Sequence, residues 1–487
     1  MLMSATHVQD QKNIDEGQSL KLKPGMRVHL VGIGGSGMSA IAWLLLGRGF
    51  AVSGSDLQQS ELMTALREAG AVVHVGHNAR NVSGAELVVI SSAVSRENVE
   101  VVAAREAGIP VLKRADLLGQ LMTGTVGIAV AGTHGKTTTT SMIAHILLAT
   151  GRDPSLVAGG ILPELGRNGR AGESDLFVVE ADEYDYMFLG LRPQIEIVTN
   201  LEHDHPDLFD TPAVYLSAFL KFVGRLPSGG TLICDHDDVG ARQLLAESNR
   251  DDIEVITYGI DNALTGVHFR AVALQPNQLG GTDFVILRSG ETLGLARLRV
   301  PGEHNVRNAL AAIVACDKVG VTFNEMVQAL MSFGGVGRRF QLVGEVRDVA
   351  VIDDYAHHPT EIRVTLAAAR QRYPGRRLWA VWQPHTYSRT RLLKSEFARC
   401  FDVADRVIVL DVYRSREKDT MGVSAAQIVS DMDHPYARHI GSREDAASYI
   451  LDRVVPGDLI ITLGAGDGDE VGKWILAGLR RRVQTSP

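Results

Sequence analysis

Three times along this chain a short apolar run passes into a polar loop and on into helical periodicity, and each time a fresh series of such units follows. This alternation restricts the chain to α/β layers with mostly parallel sheets, because strands joined through helices pair in parallel. The first series opens with Met26-Arg-Val-His-Leu-Val31, runs through Ala51-Val-Ser-Gly-Ser-Asp56 and reaches Leu87-Val-Val-Ile90. Lys113-Arg-Ala-Asp116 and the turn Thr123-Gly-Thr125 then read as a linker. A second series opens with Val126-Gly-Ile-Ala-Val130 and continues with Leu176-Phe-Val-Val179 and Ile195-Glu-Ile-Val-Thr199. The third follows a hinge at Gly334-Gly-Val-Gly-Arg-Arg339 and ends with Asp458-Leu-Ile-Ile-Thr-Leu463. At 487 residues the chain exceeds one ordinary core. The expected division is a tail over 1–23 and domains over 24–122, 123–337 and 338–487.

Composition narrows the class of ligand. A net charge of −8 gives no general attraction to nucleic acid or an anionic membrane surface, so any anion must be held by local cations and backbone amides. No segment reaches the ~18 apolar residues of a membrane span, and the opening residues carry charges but no apolar signal core. Cys234, Cys316 and Cys400 are odd in number and widely spaced, which reads as reduced structural thiols in a cytoplasmic protein.

Two glycine loops point to two anionic ligands. Gly32-Ile-Gly-Gly-Ser-Gly37 lies directly between a strand and an apolar-periodic helix, the setting in which a backbone approaches a pyrophosphate. Gly34, Gly35, Ser36 and Gly37 are its expected contacts, and Asp56, ending the next strand, fits a ribose- or base-binding carboxylate. By itself this fingerprint admits NAD or another pyrophosphate-containing nucleotide. The second loop, Ala131-Gly-Thr-His-Gly-Lys-Thr-Thr138, resembles a Walker A loop shortened by two residues. Lys136 would lie against the β- and γ-phosphates, and the Thr137 hydroxyl is placed to ligate Mg²⁺. Strand ends at Glu180-Ala-Asp-Glu183 and Asn200-Leu-Glu-His-Asp-His205 supply further donors, so Thr137, Glu180 and His205 are expected to converge on one metal. His357 and His358 also suggest a metal, but consecutive side chains on an extended segment point apart.

Taken together, GIGGSGMSAIA (32–42), AGTHGKTTTT (131–140), EADEYD (180–185), TNLEHDHPD (199–207), PGEHNVRNALAA (301–312), GVGRRF (335–340), DDYAHHPTEI (353–362), WQPHTYSRT (382–390) and GAGDGDE (464–470) resemble the Mur ligase family. They occur in order across nearly the whole chain. The resemblance implies a Rossmann-like N-terminal domain, a central P-loop ATPase-like domain with a parallel sheet, and a Rossmann-like C-terminal domain. It implies an ATP-dependent ligase that phosphorylates the lactyl carboxylate of UDP-N-acetylmuramate and lets the amine of L-alanine attack the acyl phosphate. The first loop would then hold the UDP-sugar, and Gly132, Thr133, His134, Gly135, Lys136, Thr137 and Thr138 the ATP phosphates. Lys136, Glu180 and His205 carry the chemistry in this reading. His304 and Asn305 would flank the adenine, Arg338 would add a cation, and Asp354 would bind the ribose. Tyr355, His357 and Arg389 would form the amino acid pocket, with Thr386 standing where some relatives carry an arginine. The expected assembly is a monomer or homodimer, without nucleic acid or membrane insertion. Three rivals remain: an NAD-dependent oxidoreductase, a ligase of this fold that attaches a peptide or another small amino acid, and a non-catalytic nucleotide switch.

Overall fold

The computed structural model describes residues 21–260, 265–415 and 417–484; the tail reading for 1–23 lies outside them except for its last three residues. Strands β1 (Arg27–Val31), β2 (Ala51–Asp56), β3 (Val72–Val75), β4 (Leu87–Ile90) and β5 (Val111–Lys113) form an all-parallel sheet in the order β3-β2-β1-β4-β5. Rossmann-type sheets share this order. Every residue of β4 is buried, as expected for a central parallel strand covered on both faces. Helix α1 (Ser36–Gly47) leaves the first glycine loop.

Of the segment read as a linker, 113–116 instead ends β5 and starts helix α2 (Arg114–Leu121), while 123–125 is the turn that follows that helix. Its Ala115, Leu117, Leu118 and Leu121 are buried. A Cβ on Gly119 would strike the carbonyl of Gly190, so the helix sits directly against the central body. The charges that suggested a solvated linker are interface charges. Lys113 pairs with Asp185 at 3.0 Å and Arg114 with Asp182 at 2.6 Å.

The central sheet has ten strands: β6 (Val126–Ala131), β7 (Ser155–Leu162), β8 (Arg167–Arg170), β9 (Leu176–Glu180), β10 (Ile195–Val198), β11 (Thr231–Asp235), β12 (Glu254–Gly259), β13 (Phe269–Pro276), β14 (Thr282–Arg288) and β15 (Glu291–Arg297). Their order is β15-β14-β13-β12-β11-β10-β6-β9-β7-β8. Neighbours from β13 to β7 are parallel, while β8, β14 and β15 add antiparallel edges. Because β6 lies between β9 and β10, the loop leaving β6 is flanked by their carboxyl ends. Helices α3 (Lys136–Ala149) and α4 (Glu303–Lys318) cover this sheet. Val306, Leu310, Ile313 and Val314 form the buried stripe of α4.

A third sheet contains β16 (Gln341–Val346), β17 (Val349–Asp354), β18 (Arg377–Trp382), β19 (Arg406–Val409), β20 (Ala437–His439) and β21 (Asp458–Leu463) in the order β16-β17-β21-β18-β19-β20. All are parallel except β16. Helix α5 (Pro359–Arg372) starts just beyond β17. One continuous apolar cluster joins the first body to a face of the central sheet, from Val28 and Leu44 to Phe177 and Phe222. The third body has its own clusters on the two faces of its sheet. Charged and hydroxyl groups join it to the centre, including Glu361 to His134 at 3.2 Å and Thr360 to Glu202 at 2.9 Å.

Among the described residues no helix is long and apolar enough to cross a membrane. Cys234, Cys316 and Cys400 are buried free thiols without a disulfide partner, and burial raises the pKa of each.

Candidate active site

The short loop is walled on every side. Gly132 and Gly135 have φ values of 128° and 81°, in the region glycine tolerates best. A Cβ on Gly132 would strike the Thr199 hydroxyl, and one on Gly135 would lie 2.5 Å from Asn308 Oδ1. Asn200 Oδ1 accepts from the His134 amide at 2.8 Å, and Thr133 Oγ1 donates to the Glu202 carbonyl at 2.7 Å. The loop is therefore held by β10, by the segment after it and by α4.

Lys136 is saturated from within the chain. Its Nζ donates to the Gly132 carbonyl at 2.5 Å and the Thr133 carbonyl at 3.1 Å, and lies 3.0 Å from Glu183 Oε2. Burial alone would lower the Lys136 ammonium, but Glu183 and Asp182 outweigh it and raise its pKa. Glu183, 1% exposed, is thus the counter-ion of Lys136, a pairing that the acidic run EADE does not single out.

Thr137 Oγ1 donates to Glu180 Oε1 at 3.0 Å, and Gly159 N donates to Glu180 Oε2 at 2.6 Å. A Cβ at Gly159 would crowd that carboxylate at 2.7 Å, and one at Gly160 would crowd the Thr137 methyl at 3.0 Å. Only small residues fit on β7 here, a constraint that nothing in the local sequence announced. Burial raises the Glu180 carboxyl, offset in part by Lys136 and Gly159. A hydroxyl beside a carboxylate is a hard oxygen donor pair that suits Mg²⁺. His205 lines the same 840 Å³ cavity, with its Nε2 3.6 Å from Glu183 Oε1 and 3.8 Å from Asp204 Oδ2. Burial would lower its pKa, yet Asp204 and Glu183 raise it.

A second cavity of about 360 Å³ adjoins the loop and is lined by Thr138, His304, Asn305, Arg339, Asp354 and the acidic group Asp235, Asp237 and Asp238, among others. Burial drives the His304 imidazole down to about 4, so the ring is neutral and suited to stacking on a base. Asn305 is less free than its motif implied. Its amide donates to the Pro301 carbonyl at 2.7 Å and accepts from Asn308 at 3.2 Å. Asp354 accepts from Phe340 N at 2.7 Å and Ala356 N at 2.8 Å, and burial lifts it to about 6.

Two expected cations, Arg338 and Arg389, line the 840 Å³ cavity but are already paired within the protein. Arg338 is engaged by Asp353 at 3.0 Å and the Gly464 carbonyl at 3.1 Å, inside the C-terminal body. Its neighbour Arg339 lines both cavities. Arg389, expected as a free carboxylate clamp, forms a buried bidentate pair with Asp204 of the central body, at 2.8 and 3.1 Å. Burial would raise the Asp204 carboxyl, but Arg389 holds it well below the usual range. Arg389 Nη1 also contacts His385 Nδ1 at 3.1 Å, and the residue lines the 840 Å³ cavity. Nearby, Arg338 and Arg339 flank the ring of Tyr355 at 5.3 and 5.1 Å, and burial takes His357 down to about 4. His357 faces His385 whereas His358 packs on His134, so the two neighbours do point apart.

At the first loop, Asp56 Oδ2 accepts from Gly34 N at 3.0 Å, so this carboxylate braces the loop itself. Gly37 is overhung by Arg114, whose guanidinium a Cβ would strike. Arg114 is a further cation at this site; the linker reading hid it.

A shortened phosphate loop set among three α/β bodies defines a nucleotide-dependent enzyme class, and the comparisons give it a family. The model described as "Mur ligase family, catalytic domain" matches residues 27–125, "Mur ligase middle domain" 130–316, and "Mur ligase, glutamate ligase domain" 338–466. The chain belongs to the Mur ligase family. It is 44% identical to the UDP-N-acetylmuramate–L-alanine ligase of Pelotomaculum thermopropionicum, over 90% of this chain and 95% of that one. Identity to the enzyme of the same name from Acidobacterium capsulatum is also 44%, covering 94% and 98%. Among solved structures, the UDP-N-acetylmuramate–alanine ligase of Thermotoga maritima superposes with a TM-score of 0.80 at 28% identity, covering 94% of this chain and all of the other. A murein peptide ligase from Psychrobacter arcticus gives 0.70 at 27%, covering 93% and 99%.

Proposed function

We propose that this chain is an ATP-dependent amide ligase that joins L-alanine to the lactyl carboxylate of UDP-N-acetylmuramate in peptidoglycan precursor synthesis. The observation that carries this reading is the single 840 Å³ cavity to which all three sheets contribute: Ser36 from the first, Lys136, Thr137, Glu180 and His205 from the second, and Tyr355, His357 and Arg389 from the third. Such a cavity brings together three substrates whose reacting atoms must meet.

In this reading the sugar-nucleotide diphosphate lies on Gly34 to Gly37 below Arg114, with Asp56 bracing the loop. The ATP phosphates lie on Gly132 to Thr138, the base beside His304 and Asn305, and the ribose at Asp354. The γ-phosphoryl group passes to the lactyl carboxylate and ADP leaves. The amine of L-alanine then attacks the acyl carbon, phosphate departs and an amide remains. Lys136, released from Glu183, neutralises phosphate charge, and Arg339 is better placed than Arg338 to assist it. Thr137, Glu180 and His205 would hold Mg²⁺, which supplies further charge neutralisation when bound. The carboxylate of L-alanine meets Arg389 by sharing or displacing Asp204. We place this activity in the cytoplasm, in a monomer or homodimer with domains over 24–122, 123–337 and 338–487.

The test is ADP release with UDP-N-acetylmuramate against a panel of amino acids and short peptides. L-Alanine is expected to give the highest kcat/KM. A preference for a tripeptide, or release without any amine, would overturn the reading.

A further inference from the structure

His134, Glu202 and His358 bring one potential ligand atom each to within 4.8 Å of one another, where the central and C-terminal bodies meet. Glu202 Oε2 lies 2.9 Å from His134 Nε2 and 3.7 Å from His358 Nδ1. Bonds of about 2.0–2.2 Å around a tetrahedral ion separate neighbouring ligands by roughly 3.3–3.6 Å, between these two values. The groups behind the ligands are also in place. Glu361 Oε1 lies 3.2 Å from the far nitrogen of His134, and Thr360 Oγ1 donates to the far oxygen of Glu202 at 2.9 Å. Such outer carboxylates and hydroxyls orient metal-bound imidazoles and carboxylates. His358 is 2% exposed; its Nδ1, which faces Glu202, accepts from the Thr360 amide at 3.3 Å and so caps α5, a bond that an ion on Nδ1 would replace.

We propose that His134, Glu202 and His358 form a site for a borderline divalent ion of the Zn²⁺ or Co²⁺ class, separate from the oxygen-donor pair Thr137 and Glu180. Two imidazoles and one carboxylate select such ions over Mg²⁺. The 360 Å³ cavity touching His134 and Glu202 leaves room for a water as fourth ligand. The ion would tie the phosphate loop and the segment after β10 to the start of α5, latching the third body against the centre. Turnover, which requires the bodies to part for exchange of substrates and products, then slows.

The full chain, saturated with Mg²⁺, is titrated with Co²⁺ while the visible d–d absorption is followed. One Co²⁺ per chain with the intense band of four-coordinate nitrogen–oxygen ligation is expected. His358→Asn keeps a residue competent to cap α5 but removes the imidazole, so the band should vanish. Its turnover in Mg²⁺ alone should stay within about twofold of the parent, and Zn²⁺ should inhibit the parent but not this variant. Glu202→Gln should also lose the band, and Glu361→Gln should weaken Co²⁺ binding roughly 10–100-fold. A parent that shows no four-coordinate band, or a band that survives in both His358→Asn and Glu202→Gln, would overturn the site.

Discussion

Gly34 and Gly132 each follow a buried parallel strand and precede a helix, yet the two loops around them are braced in different ways. The first loop is steadied from its own sheet, through Asp56 on the Gly34 amide, and its roof is the side chain of Arg114. A Cβ at Gly35 would meet only the Gly32 carbonyl, at 3.5 Å. The second loop is enclosed by distant segments: Thr199 and Asn200 on one side, Asn308 on another, Glu183 on its lysine and Glu361 on its histidine. A loop braced locally can adjust around a ligand, whereas one braced from several elements is preorganised but coupled to whatever moves those elements.

The sharpest challenge to this contrast is Lys136→Ala. It should cost about 10²-fold or more in kcat with the fold retained, because in the proposed reading the lysine meets charge that develops on the phosphates. Steady-state rates at saturating ATP, beside a circular dichroism spectrum, decide it; near-parental turnover would mean that the enclosed loop does not hold the reacting phosphates.

Next in size is the interface pair. Arg389→Met leaves Asp204 buried without its partner and should cost about 3–5 kcal/mol in stability by denaturant titration. It should also raise the KM for L-alanine roughly tenfold or more. Asp204→Asn combined with Arg389→Met should restore much of the stability but not the KM. Recovery of both would reduce Arg389 to a structural role and leave the amino acid carboxylate without its proposed partner.

A third comparison sets Gly132→Ala against Gly35→Ala. The first puts a Cβ into Thr199 at a φ of 128° and should destabilise by about 1–3 kcal/mol. Gly35 has a φ of −75°, so its replacement should change the melting temperature little. Equal losses would erase the distinction between the loops.

The last test is a pH dependence confined to the second loop. The folded pKa of His134, about 9, lies above its ordinary value of 6.5. Its stabilisation is therefore fully present below pH 6.5 and lost as pH climbs through 9. Denaturant midpoints of the parent should fall across that window. His134→Gln should flatten the fall, and Asp56→Asn, at the other loop, should leave it unchanged.

Much of this architecture was legible in the sequence because its signals are local. Apolar runs of strand length, glycines at the turns and a 3.6-residue stripe at Val306, Leu310, Ile313 and Val314 depend on neighbours along the chain, and all reappear as elements. The lysine and hydroxyl of the phosphate loop, and the carboxylate ending β9, were visible for the same reason. The linker reading at Lys113 to Asp116 failed because charges at an interface between bodies look, in sequence, like charges in water.

What only the tertiary structure decided is the partner of each charged group. The order β10-β6-β9 sets Glu180 and Asn200 on either side of the loop, and closure of the third body gives Asp204 its arginine and His134 its second imidazole. Residues 204 and 389 are 185 positions apart, and no local preference can pair them. Strand order and body-to-body packing arise from burying apolar faces over the whole chain, so a side chain's type is written in the sequence while its counter-charge is settled by the fold.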